Sequence, residues 1–136
     1  MPNFSQASKD KLATCHKDLQ TIFNEVIKYF DCTILVGYRG EVEQNKAFEE
    51  GKSKLKFPFG EHNKMPSCAV DVAPFPINWE DKDRFYYFAG FVMGIAAELK
   101  EQGIISIGLT YGGDWDGDTD LHDQILYDLV HFEVKK

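Results

Sequence analysis

The sequence predicts an α+β domain, with helices packed on a small, mainly antiparallel sheet. Two long stretches keep a helical apolar period, over residues 8–30 and 81–102. Four short runs of β-prone residues lie between and after them. The chain of 136 residues suits one domain, residues 1–136, and its 43% hydrophobic content supplies a core without covalent staples.

The elements follow in order. Leu12, Cys15, Leu19, Ile22, Phe23, Val26, Ile27 and Phe30 keep the period of a first helix, with Ser8 as N-cap. Thr33–Val36 is a short β-branched strand. A loop carries Gly37, Tyr38, Arg39 and Gly40, and residues 41–50 form a short helix stopped by Gly51. Residues 52–66 hold two prolines and little periodicity, so they read as a loop. Ala69–Ala73 is a strand closed by Pro74 and Pro76. Residues 81–102 form the second long helix, stopped by Gly103. Residues 104–109 are a strand, residues 111–123 an acidic glycine-rich loop, and residues 130–134 a last strand.

Composition excludes several classes. A net charge of -7 opposes nonspecific binding to nucleic-acid phosphates and to anionic membranes. Three cysteines, Cys15, Cys32 and Cys68, with no Cys-x-x-Cys pair, point to a reducing compartment rather than a disulfide framework. The polar N-terminus lacks the apolar stretch of a signal peptide. Residues 85–99, interrupted by Gly90, Gly94 and Glu98, are too short and polar to span a bilayer. A monomer is expected.

One residue is out of place. Asp71 lies inside Ala69-Val70-Asp71-Val72-Ala73, and a buried, unpaired carboxylate costs several kcal/mol. Of the four histidines, His62 precedes it by nine residues, and His131 sits at the edge of the last strand. The three would make a site of two imidazoles and one carboxylate, which leaves a catalytic zinc one open position. A hydrogen-bonded core pair explains the same residues, and spacing alone does not separate the two. No His-Glu-x-x-His signature is present.

Gly60 to Asp71 resembles the Ser-x-His-x-x-Gly-x-Ala-x-Asp motif of the zinc peptidase family of D-Ala-D-Ala carboxypeptidases and L-alanyl-D-glutamate endopeptidases, which includes small phage endolysins. Gly60 replaces the leading Ser, Ser67 replaces the Gly, and the His-to-Asp interval is two residues longer. Asp128-Leu129-Val130-His131 is similar to the family's later Glu-or-Asp-x-x-His motif. Gly37-Tyr38-Arg39-Gly40 with Gln44 resembles its Gly-Tyr-Arg-Ser motif and the Gln that follows. The resemblance implies a Hedgehog/DD-peptidase-like fold and one zinc ion on His62, Asp71 and His131. It also implies Asp128 as general base and Arg39 as the group facing the oxyanion.

The substrate so implied is the peptidoglycan stem peptide, cut at the L-alanyl-D-glutamate bond. A D-Ala-D-Ala carboxypeptidase or dipeptidase is the alternative, and a metal- or wall-binding module without turnover is a further one. Such a lysin would accumulate in the host cytoplasm and reach the wall after holin action. The length leaves no room for a separate wall-binding module.

The remaining polar residues carry weaker signals. Asp128 alternatively begins a turn, and Arg39 alternatively pairs with Glu41 or Glu43 at the surface. Gln44 either orients Arg39 or its loop, or is solvated, and is left outside the site. His16 reads as structural, His122 as a surface residue and Cys68 as core. Trp115 faces substrate or anchors the core. Asp114, Asp116 and Asp118 match the first three ligand positions of a calcium loop, but Thr119 stands where its Gly belongs and Ile125 where its Glu belongs. A looser calcium site at Asp114, Asp116, Asp118 and Asp120 and a solvated acidic turn are the two readings.

Overall fold

The computed structural model describes residues 2–122 and 127–136. Asp123, the expected end of the acidic loop, and Ile125 lie outside the described residues. The elements are α1 (Gln6–Leu12), α2 (Lys17–Val26), β1 (Cys32–Val36), α3 (Glu41–Glu49), a 3-10 turn (Glu61–Asn63), β2 (Ala69–Pro74), α4 (Lys82–Glu101), β3 (Leu109–Tyr111) and β4 (His131–Val134). The strands form one sheet in the order β1-β2-β4-β3, antiparallel at every pairing. The predicted α+β class is the observed one.

Alternation along the strands divides the sheet into two faces. Val70, Val72, Phe132 and Tyr111 join the core with Leu19, Ile22, Phe23 and Val26 of α2 and Phe88 and Val92 of α4. Phe132 is the hub: Phe23 meets it edge-on at 5.4 Å between centroids, and Tyr111 stacks on it at 5.0 Å. The opposite face carries Asp71, His131 and Glu133, buried but outside that core.

The expected first helix is two helices. Residues 13–16 leave the helical path because Ser67 pairs with them: Ser67 N–H donates to the Thr14 carbonyl at 2.9 Å, and His16 N–H to the Ser67 carbonyl at 2.8 Å. His16 then caps α2, its Nδ1 accepting Asp18 N–H at 3.0 Å, the structural role expected of it. The N-cap of α1 is Ser5, not Ser8; Ser8 is buried, and its hydroxyl accepts Ile34 N–H at 3.1 Å.

The third strand is also displaced. Residues 104–108 are irregular and pairing begins at Leu109. The Asp18 carboxylate takes the N–H groups of Ser106 and Ile107, at 3.0 and 3.4 Å, that a strand would commit to its neighbour. Cys68 is half-buried just before β2, outside the core expected for it.

Candidate active site

The site begins with strand register. Asp71 of β2 stands directly opposite His131 of β4, and the β1 bulge between Ile34 and Val36 brings Val36 opposite Asp71 from the other side. Gly37 follows immediately. A Cβ there would overlap the Lys11 carbonyl and the Thr14 hydroxyl, so only glycine lets the chain pass this close to α1. The loop carrying Arg39 is tied to the 3-10 turn by Arg39 N–H donating to the His62 carbonyl at 2.8 Å.

His62, Asp71 and His131 converge. Asp71 Oδ1 lies 3.1 Å from His62 Nε2 and 3.1 Å from His131 Nδ1. One ligand atom from each residue falls within 4.8 Å of the others, close enough to share one metal ion. The far nitrogens are also engaged. His62 Nδ1 lies 2.8 Å from the Gly37 carbonyl, which can only accept, so Nδ1 carries the proton and Nε2 faces the group. His131 is turned the other way: Nε2–H points at Glu133 Oε1 at 2.8 Å, and Nδ1 faces Asp71. Each imidazole is thus oriented by a partner behind it, the arrangement a metal ligand needs.

Burial alone would raise the Asp71 carboxyl, but the His131 and His62 rings against it outweigh burial and hold it well below the usual carboxylate range. Burial pulls His131 down, yet its bonds to Asp71 and Glu133 prevail and lift it to about 9. Asp128 is raised by burial and by the Asp71 charge. Its Oδ2 stands 3.9 Å from His131 Nδ1, and its side chain is partly open to solvent.

A glycine fixes this end of the site. Gly112 N–H donates to the His131 carbonyl and its own carbonyl accepts Asp128 N–H, both at 2.8 Å. A Cβ at Gly112 would overlap the Asp128 carbonyl.

Arg39 enters from the opposite side. Nη2 lies 3.7 Å from Asp71 Oδ2, and Nη1 donates to Gln44 Oε1 at 3.2 Å. Its ionic partner is therefore Asp71, not Glu41 or Glu43. Gln44 is only 1% exposed, which removes the solvated alternative. Its Oε1 also accepts from Asn63 Nδ2 at 3.1 Å, and its Nε2 donates to the Leu55 carbonyl at 2.6 Å and to Ser53 Oγ at 2.9 Å. Gln44, left outside the site on sequence grounds, orients Arg39.

Asn63 and Glu133 escaped the sequence reading. Asn63 Nδ2 also donates to the Arg39 carbonyl at 2.8 Å, and Asn63 Oδ1 accepts Gly60 N–H at 2.8 Å. Only one signal pointed to Glu133: two residues beyond His131, it shares a strand face with it.

The Trp115 ring sits 5.3 Å from the His131 ring at a 38° tilt, half-buried against the site. His122 is exposed, as expected. Asp114, Asp116 and Asp118 have carboxylate oxygens within 4.8 Å of one another, but Asp116 and Asp118 are exposed. Asp118 and Asp120 accept backbone N–H groups of Asp120 and His122, at 2.8 and 2.9 Å. Asp114 Oδ1 is buried without a hydrogen-bond partner, but no ligand set for calcium is completed among the described residues.

Two imidazoles and a carboxylate beside a second carboxylate and a guanidinium have the make-up of a metallohydrolase centre. Comparison with known proteins identifies its kind. The family model of phage L-alanyl-D-glutamate peptidases matches residues 2–135, and the chain belongs to that family. The L-alanyl-D-glutamate peptidase of Escherichia phage T5 is 29% identical over 139 aligned positions, covering 96% of each chain. The crystal structure of the L-Ala D-Glu endopeptidase ChiX of Serratia marcescens superposes with a TM-score of 0.73 at 23% identity, over 98% of this chain and 90% of that one. This second likeness is one of fold.

Proposed function

We propose that this chain hydrolyses the L-alanyl-D-glutamate bond of the peptidoglycan stem peptide as a single peptidase domain, with one zinc ion held by His62, Asp71 and His131. Family membership makes it a peptidoglycan peptidase of the phage endolysin kind. It favours this bond over a terminal D-alanine and turnover over mere binding. One observation carries the metal assignment: His62 Nε2, Asp71 Oδ1 and His131 Nδ1 converge from three separate segments, with both far ring nitrogens oriented.

A bound zinc supplies a Lewis acid for the scissile carbonyl and lowers the pKa of water to about 7. The chain's own groups do the rest. Asp128 takes a proton from the attacking water and returns it to the leaving amine. Arg39, steadied by Gln44, faces the negative charge developing on the carbonyl oxygen. Trp115 lies beside His131, where a stem peptide would pass. Calcium at the acidic loop forms no part of the mechanism.

The substrate lies in the cell wall, reached from the host cytoplasm once a holin opens the membrane. Among the described residues no helix is long and apolar enough to cross a membrane.

Mass spectrometry of purified peptidoglycan after digestion, with and without chelator, tests the proposal. Fragments cut between L-Ala and D-Glu, lost on chelation and restored by zinc, are expected. Release of terminal D-Ala would reassign the bond, and chelator-resistant cleavage would remove the metal. His62→Ala, Asp71→Ala and His131→Ala should each abolish activity and leave substoichiometric zinc.

A further inference from the structure

We infer that Glu133 is a positioning residue: it locks His131 in the orientation that presents Nδ1 to the shared site, and so sets metal affinity. The inference rests on the metal assignment above.

The two imidazoles of the site present opposite nitrogens, His62 Nε2 and His131 Nδ1. The difference lies in what stands behind each ring. Behind His62 is a neutral acceptor, the Gly37 carbonyl. Behind His131 is a carboxylate, Glu133 Oε1, 2.8 Å from Nε2. An imidazole free to flip would offer either nitrogen. A strong acceptor on Nε2 keeps that proton in place and leaves Nδ1 for the ion.

The sheet enforces this pairing. Glu133 follows His131 by two residues, so both side chains leave the same face of β4. Its backbone is flanked by Ala69 of β2 and Thr110 of β3, which fixes the site of the carboxylate. Glu133 is buried, so its charge requires a partner. His131 supplies it, while the ion pairs of Lys64 and Lys136 go to Glu61. A negative acceptor also makes the ring a more basic ligand than a carbonyl would.

The test compares wild type, Glu133→Gln and Glu133→Ala in the full chain, by zinc dissociation constant from competition with a chromophoric chelator. Melting of the metal-free proteins is followed in parallel. Glu133→Ala should bind zinc about 10–100-fold more weakly. Glu133→Gln retains an acceptor oxygen and should lose less. Nitrogen-15 spectra of the zinc-loaded wild type should show His131 protonated on Nε2. A purely structural role predicts a lower melting temperature with unchanged zinc affinity, and that result would overturn the inference. So would a Glu133→Gln loss as large as that of Glu133→Ala, or a His131 protonated on Nδ1. If wild type binds zinc and Glu133→Ala binds it equally, only this inference falls. If wild type takes up no zinc, it falls together with the metal assignment.

Discussion

Gly112→Ala should cripple the enzyme without adding or removing a functional group. Gly112 is clamped by two hydrogen bonds of 2.8 Å to the turn that delivers Asp128 and His131. An alanine Cβ would overlap the Asp128 carbonyl and come to 3.0 Å from both the Asp128 and His131 Cβ atoms. Carbon atoms rest at about 3.5–4.0 Å, so the turn must retreat by about 0.5–1 Å. Overpacking of this kind costs about 1–3 kcal/mol of stability. The catalytic loss is separate, because a misplacement of about 1 Å costs on the order of 10²-fold in rate. Steady-state kinetics on a soluble stem peptide should show that drop, with urea denaturation recording the loss of stability. Gly90→Ala is the control. Gly90 lies on α4, where an added methyl group would meet nothing within 4 Å, so alanine there should leave kinetics unchanged and add up to about 1 kcal/mol. A folded Gly112→Ala enzyme within about threefold of wild-type kcat/KM would refute the claim that this contact sets the catalytic geometry.

Asp128→Asn should keep its zinc, by metal analysis, and lose about 10²–10⁴-fold in kcat; loss of zinc as well would reassign Asp128 as a ligand or a prop. Arg39→Lys keeps the charge but not the planar fork, so kcat should fall about 10²–10³-fold with a smaller change in KM. A rise in KM alone would mean that Arg39 anchors a ground-state carboxylate. Asp18→Asn bears on stability. Burial raises the Asp18 carboxyl, but hydrogen bonds from Ser106 and Ile107 prevail and leave it below its ordinary value of 3.8. Its folded pKa being depressed, its stabilisation is present above that ordinary value and is lost as pH falls through the folded one. Denaturant titrations should therefore show Asp18→Asn about 1–3 kcal/mol less stable at neutral pH, with the gap closing in strong acid.

The sequence by itself determined the candidate site residues and the local punctuation. Asp71 betrayed itself as a charge in an apolar strand, and the three motifs picked out His62, His131, Asp128 and Arg39. Helix α4 ends where Gly103 takes a positive φ of 75°, a constraint carried by the local sequence alone. What only the tertiary structure decided depends on partners distant along the chain. The first helix broke because Ser67 competes for the backbone of residues 13–16, and the third strand started late because Asp18 holds residues 106 and 107. Periodicity is blind to both. Site geometry came from pairing in the same way: the register that sets Asp71 against His131 also places Glu133 behind the ring, and the fold buries Gln44 against Arg39. A local pattern says which residues share a face, but only the folded chain says which nitrogen of each imidazole has a partner behind it.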